Sequence, residues 1–349
     1  MNINNIDNKL LIWYSKYSDS SLPWRLDPNP YKTWISEIML QQTQVNTVIP
    51  YFDKWMKQYP TINKLSQSSI DDLLILWQGL GYYKRVENIL ASSKIIQDKY
   101  NNILPDKYED LITLKGIGDY TASAILTIAF KKKYLPIDGN IKRILSRLYM
   151  LSKKHQNISH YKTLLSIYIN DKNPGDCVQA LMDIGRTICM PKKPKCIRCP
   201  LLIICKAYKY NKIEKYPIKT KKNIPNFSIV VGYIVKNKKF IITKRQKNKL
   251  LANLWELPGG KIQTNETSQN ALKREVLEEL DIKIKNLNFI GEIKHQYSHF
   301  KLNITLFKCE YLTGNPKPLQ SQAYKWITKK KIKDFAFPAA THKLFKLIH

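Results

Sequence analysis

Four cysteines stand within seventeen residues, Cys189, Cys196, Cys199 and Cys205, in the spacing C-x6-C-x2-C-x5-C. No other stretch limits the possible folds as tightly. A zinc ribbon uses two close cysteine pairs, and only Cys196 and Cys199 form one here. Arms of six and five residues suit thiolates that wrap a larger iron–sulfur cubane, one 4Fe–4S cluster, better than a single tetrahedral ion. Disulfides are the weaker alternative. Residues 1–10 lack a basic segment followed by an apolar run, so no secretory signal and reduced thiols are expected. Cys177 and Cys309 stand outside the scheme and read as buried small hydrophobes.

The loop is also basic. From Cys189 to Lys222 eleven Lys or Arg oppose one acid, Glu214. The whole chain of 349 residues carries a formal net charge of +31, which points to a polyanion as partner. Part of that excess reflects the Lys-, Asn- and Ile-rich usage that A·T-rich coding produces. A hydrophobic content of 44% implies a folded chain, long enough for two cores. No apolar run approaches the length of a membrane span, so none is expected.

Hydrophobic spacing divides the chain. Residues 1–205 read helical, with apolar residues three and four apart from Trp34 to Phe52. Similar patterns recur over Asp71–Trp77, Val86–Tyr100, Tyr120–Phe130 and Ile141–Leu148. Residues 206–226 are rich in Lys, Tyr and Pro and read as a basic linker. Residues 227–349 change period. Phe227–Val235 and Lys239–Lys244 look like strands of a hairpin around Lys236-Asn237-Lys238. A Gly-Gly turn, a charged helix and a strand near Leu302–Tyr311 follow. The expected fold class is multi-domain: an all-α domain carrying the cysteine loop, then an α+β domain.

Between two helical patterns lies Leu114-Lys115-Gly116-Ile117-Gly118, whose glycines allow a tight turn with backbone N–H groups open to a phosphate. Asp119–Leu126 (DYTASAIL) and Pro136–Arg143 (PIDGNIKR) follow. With these motifs the chain resembles the helix-hairpin-helix DNA glycosylases of the endonuclease III superfamily, and within it the MutY-like adenine glycosylases. Leu22–Arg25 (LPWR), Trp34–Val45 (WISEIMLQQTQV), Trp77–Tyr83 (WQGLGYY), Gln179–Gly185 and the cysteine loop carry the same resemblance. Lys115 departs from it, standing where the family hairpin usually has Pro. The hairpin is expected at about 108–130 and the cluster loop at 189–205.

Excision of adenine requires a proton on the leaving base and an anion near the cationic sugar, a task for two carboxylates in different surroundings. The resemblance implies Glu37 as proton donor to adenine N7 and Asp138 as the group facing C1′, with Asn140 orienting Asp138 or the attacking water. On a helix, Glu37, Gln41 and Gln44 would share one face, opposite the apolar one. Glu37 would need a raised pKa, which an apolar wall of Trp24, Ile38 and Tyr120 could supply. Tyr120 stands where bifunctional relatives carry the lysine that forms a Schiff base, which implies a monofunctional enzyme leaving an abasic site. Trp24, Arg25, Val45 and Gln179 are expected to line the adenine pocket. Gln42 and Tyr82 are expected to wedge into the duplex, with Thr43 and Leu80 near the lesion and Gly116 and Gly118 on the backbone.

In the second domain Gly260 opens a Nudix-like box in which Glu266, Arg274, Glu275, Glu278 and Glu279 take the expected places. Glu275, Glu278 and Glu279 fall on one helix face and make a usable Mg²⁺ site. Asp281 stands where the family has Gly, at a helix end that should turn left-handed. Two roles compete for this domain, residual nucleotide hydrolysis and recognition of 8-oxoguanine, and the resemblance favours recognition through Ser298 and His299. The expected partner is double-stranded DNA with an A:8-oxoguanine or A:G mispair, met by a cytoplasmic, nucleoid-associated monomer. The rivals are a bifunctional glycosylase/lyase for oxidised bases, a nucleotide pyrophosphohydrolase and a non-catalytic lesion binder.

Overall fold

The computed structural model describes residues 6–218 and 223–348. Residues 219–222 of the expected linker therefore lie outside the described residues, as do 1–5 and 349. The chain divides into two compact units, 1–67 with 88–221 and 68–87 with 222–349.

The first part of the chain is helical. The helices are α1 (Ile6–Tyr17), α2 (Pro23–Leu26), α3 (Pro30–Leu40), α4 (Val45–Gln58), α5 (Ile62–Ser66), α6 (Ile70–Trp77) and α7 (Lys84–Tyr100). They continue with α8 (Tyr108–Leu111), α9 (Asp119–Ile128), α10 (Gly139–Tyr149), α11 (Ile158–Leu165), α12 (Pro174–Thr187) and α13 (Lys206–Lys209). Proline opens α2, α3 and α12, where its missing N–H costs nothing. One core of the first unit gathers Leu10 of α1, Ile141 and Leu145 of α10, Leu165 of α11 and Leu181 of α12. No described helix is long and apolar enough to cross a membrane.

Two sequence expectations change here. The apolar run from Trp34 to Phe52 is broken after Leu40, and Gln42 takes a left-handed φ of 59°. The basic stretch after Cys205 is not featureless, since α13 buries Ala207.

The second unit is built on one sheet of β1 (Asn226–Lys236), β2 (Lys239–Lys244), β3 (Trp255–Glu256), β4 (Gly259–Lys261), β5 (Ile282–Gln296), β6 (Lys301–Gly314) and β7 (Ala323–Ile327). Its main path runs β3-β2-β1-β6-β5, with β4 on β1 and β7 on β2. Strand β1 pairs parallel to β6 and is covered on both faces, which explains its nearly continuous apolar run. Val230 and Ile234 pack with α14 (Ser268–Leu280), whereas Val231 and Tyr233 pack with α15 (Ala339–Phe345).

The β1–β2 hairpin turns on Asn237 and Lys238, both at positive φ (49° and 60°), as a tight two-residue turn requires. Gly259-Gly260 is not a turn but the start of β4, where a Cβ on Gly259 would lie 2.1 Å from the Val230 carbonyl oxygen. Asp281 ends α14 at φ 58°, and Lys317 holds its carboxylate at 3.0 Å. Segment 68–87 joins this unit through Asp71–Lys244 at 2.8 Å and Glu87–Asn253 at 2.8 Å.

Candidate active site

Helix α3 is capped by Asn29, whose side chain accepts the Lys32 N–H, and drives Trp34, Ile35 and Ile38 into the core. Glu37 goes in with them and is only 7% exposed. The expected polar face opposite an apolar one does not exist, because Thr33, Ser36 and Glu37 are all buried. Nor do Gln41 and Gln44 share a helix with Glu37. Gln41 caps α3 and Gln44 caps α4, and the Gln41 amide instead meets Thr121 Oγ1 at 3.2 Å.

Tyr120 lies in the first turn of α9, directly after the glycine turn. Its hydroxyl donates to Glu37 Oε2 at 2.7 Å. Burial pushes the Glu37 carboxyl up to about 7, and the nearby Asp138 charge pushes the same way. The Tyr120 hydrogen bond and the Arg25 charge oppose that rise. Burial, then Glu37, hold the Tyr120 phenol well above its ordinary pKa, so it stays a neutral donor. An acid poised near neutrality with a fixed donor behind it is suited to proton transfer.

Asp138 caps α10, and its Oδ1 accepts the Ile141 N–H at 2.6 Å. Its Oδ2 accepts from Asn140 Nδ2 at 2.8 Å. Capping and chemistry are thus compatible in one side chain. Burial raises its pKa, while the backbone N–H groups, Asn140 and Arg143 act against the rise. The helix N-terminus adds to the preference for an anion there.

Asn140 is itself held, since Arg143 Nη2 donates to Asn140 Oδ1 at 2.8 Å and to the Gly185 carbonyl at 2.8 Å. Arg143 Nε reaches the Cys189 carbonyl at 2.7 Å. A Cβ on Gly185 would sit 2.4 Å from Asn140 Cβ. Arg143 and Gly185 stand within the sequence motifs, and their roles emerge from these contacts. The sequence signal for Arg143 is its spacing of three from Asn140 on one helix face.

Trp24 is buried, edge-on to Phe52 at 5.4 Å between ring centres. Arg25 Nε donates to Gln179 Oε1 at 2.9 Å and Nη1 to Asp183 Oδ2 at 2.8 Å. Val45 is half-buried at the start of α4. Asp183 is not marked by any motif of its own and lies one helical turn from Gln179.

Of the expected DNA contacts, Gln42 is exposed and Thr43 half-buried. Gly116 needs its glycine, with φ 81° and an added Cβ 2.8 Å from Asn88 Cβ. Gly118 has an ordinary φ of −99° and nothing near its missing Cβ. In the second unit Leu80 is buried, while Tyr82 is 38% exposed at φ 49°. The Tyr82 and His299 rings lie 6.5 Å apart, and the Ser298 hydroxyl is 3.0 Å from His299 Nε2.

The four loop cysteines carry free thiols and line one cavity, walled by Ile144, Ile184 and Leu201. Arg147 Nη1 lies 3.3 Å from Cys189 Sγ. Burial pushes the Cys199 thiol up to about 12, so its thiolate form calls for positive charge from a metal. Among the described residues no three His, Cys, Asp or Glu side chains converge closely enough to hold one ion. The same holds for the Nudix-like box. Arg274 bridges Glu266 at 2.8 Å and Glu275 at 2.9 Å, and Glu279 is buried with its carboxyl pushed up to about 7.

Residues 35–167 match the family described as HhH-GPD superfamily base excision DNA repair protein, and residues 230–347 match the NUDIX domain family. A protein of Buchnera aphidicola subsp. Baizongia pistaciae named adenine DNA glycosylase is 41% identical over 305 residues, covering 84% of this chain and 83% of that protein. The human protein of the same name is 27% identical, covering 97% of this chain and 73% of its own. A thermostable thymine-DNA glycosylase structure matches with TM-score 0.54 and 25% identity over 60% of this chain and 97% of its own. The structure of a non-covalent endonuclease III–DNA complex shares the fold at TM-score 0.52 and 22% identity, over 60% of this chain and 98% of that one. The buried acid–phenol pair, the capped aspartate and these relatives agree, and the chain belongs to the adenine DNA glycosylase family of base-excision repair enzymes.

Proposed function

We propose that this enzyme releases adenine mispaired with 8-oxoguanine or guanine in double-stranded DNA by hydrolysing the C1′–N9 bond, and that it leaves an abasic site. The observation that carries this reading is the contact of Tyr120 with a Glu37 poised near neutral pH, in the field of Asp138. Protonated Glu37 gives its proton to adenine N7. Tyr120 then donates to the resulting carboxylate and keeps it in place. Asp138, fixed by Ile141 N–H and Asn140, faces the positive charge that develops at C1′. Water then adds at C1′ and loses a proton, so that over the cycle Glu37 is protonated again.

A phenol cannot form an imine, so strand cleavage through Tyr120 is closed and the enzyme is monofunctional. Trp24, Arg25, Val45 and Gln179 line the adenine pocket. Gln42, Thr43, Leu80 and Tyr82 meet the opened duplex, with Gly116 and Gly118 on its backbone. Ser298 and His299 sense the oxidised base. The enzyme acts as a monomer.

Cys189, Cys196, Cys199 and Cys205 would hold one 4Fe–4S cluster. Bound there, it would brace the basic loop and the backbone carbonyl that Arg143 grips. Arg274 engages Glu266 and Glu275, and the Nudix-like domain serves lesion recognition rather than nucleotide hydrolysis in this reading.

The test is single-turnover release of adenine from duplexes with 8-oxoguanine, guanine or cytosine opposite, followed by borohydride treatment. Release in the order 8-oxoguanine, guanine, cytosine with no trapped adduct is expected. A strong adduct would move the enzyme to the bifunctional class.

A further inference from the structure

We infer that Asp183 is a positioning residue that fixes which way round the Gln179 amide faces the base, and so selects adenine against purines with a reversed edge. The inference rests on the adenine reading above and goes beyond it.

The geometry starts on α12, where Gln179 and Asp183 are one turn apart and on the same face. Arg25 reaches both with one fork, Nε to Gln179 Oε1 at 2.9 Å and Nη1 to Asp183 Oδ2 at 2.8 Å. A guanidinium only donates, so the amide atom against Nε must be the oxygen. That orientation follows from chemistry. Among the described residues no acceptor holds Gln179 Nε2.

Asp183 is 4% exposed, and Arg186 holds its other oxygen at 3.4 Å. Arg25 Nη1 also donates to the Asp19 carbonyl at 3.3 Å, and the Tyr14 ring lies 5.5 Å from the guanidinium carbon. The fork is therefore gripped at several points, and the amide it holds cannot turn over.

The consequence is an ordered pair of groups, an NH2 donor beside an oxygen with one lone pair still to offer. The adenine edge that carries N6 shows a donor beside a ring-nitrogen acceptor, which an amide pairs in register. Hypoxanthine has the same ring but puts an acceptor at O6 and, on its N1 side, a donor. Against a locked amide those groups meet like to like, which hydrogen-bonding sites reject strongly. An amide free to rotate would accept either base. The lock supplies the selection, and Asp183 supplies the lock without touching the base.

The experiment compares adenine and hypoxanthine release, opposite 8-oxoguanine, under single-turnover conditions. Wild type is compared with Asp183→Asn and Arg25→Lys, and thermal melting confirms that each is folded. An ammonium cannot reproduce the two-pronged grip, so Arg25→Lys carries the test if Asp183→Asn does not fold. The intrinsic lability of the two glycosidic bonds is the same for every protein, so a change in the ratio reports the pocket.

The adenine-to-hypoxanthine rate ratio is expected to fall about tenfold or more in the variants. Equal losses on both bases, with the ratio kept, would overturn the inference and leave the adenine reading standing. A wild type that releases no adenine would sink both.

Discussion

Tyr120 donates its hydroxyl proton to Glu37 across 2.7 Å, although 83 residues separate them in the chain. The contact joins a phenol that stays neutral to a carboxyl that titrates near pH 7.

The sign of the resulting pH dependence follows from burial. Glu37 titrates at about 7 when folded, against an ordinary 4.5, so the native state holds the proton more tightly than the unfolded one. Its stability cost is absent at acid pH, grows through that interval and is complete above it, on the order of 3 kcal/mol. Glu37→Gln is expected to stabilise the protein at pH 8 by up to that amount and to make no difference at pH 4. Denaturant midpoints at the two pH values check this. The same substitution should abolish adenine release, and wild-type excision should decline as pH rises through about 7. An excision rate that climbs through that range would remove Glu37 as the acid.

Asp138→Asn keeps the size and most of the hydrogen bonding of the cap but removes its charge. An anion about 4 Å from the sugar cation is worth roughly 4 kcal/mol at an effective dielectric near 20, or about a thousandfold in rate. Excision should fall by about that factor while mispair affinity, measured by titration of labelled duplex, stays within a few-fold. Excision near the wild-type rate would exclude Asp138 from the mechanism.

Gly185→Ala places a methyl group against Asn140, at a point where the added carbon would sit 2.4 Å from Asn140 Cβ. The side chain that steadies Asp138 must then move. Displacement on that scale at a reacting group costs on the order of a hundredfold. The single-turnover rate should drop by about ten- to a hundredfold with DNA affinity and metal content unchanged. A variant with normal rate would show that Asn140 need not hold its place.

Metal analysis of purified protein should find iron and acid-labile sulfide, and no zinc. Cys199→Ser is expected to lower iron content and weaken DNA binding more than it alters the pH profile of residual excision. Stoichiometric zinc, with no sulfide, would refute the cluster.

The sequence alone determined what local rules control. The cysteine spacing marked the loop, Lys236-Asn237-Lys238 marked a hairpin and Asp281 a left-handed helix end. Long strand β5 and short strands β4 and β7 were not legible, since β-pairing depends on partners distant in the chain. The break at Gln42 was hidden because apolar spacing continues across it.

Only the tertiary structure decided the chemistry. Glu37 is a helix carboxylate in the sequence, but its burial and its contact with Tyr120, 83 residues away, exist only in the folded chain. Arg25 and Asp183 are 158 residues apart and acquire a joint role only where α2 meets α12. Residue type and spacing specify which groups are available. Their protonation and orientation are set by desolvation and by hydrogen bonds that exist only once remote segments have packed.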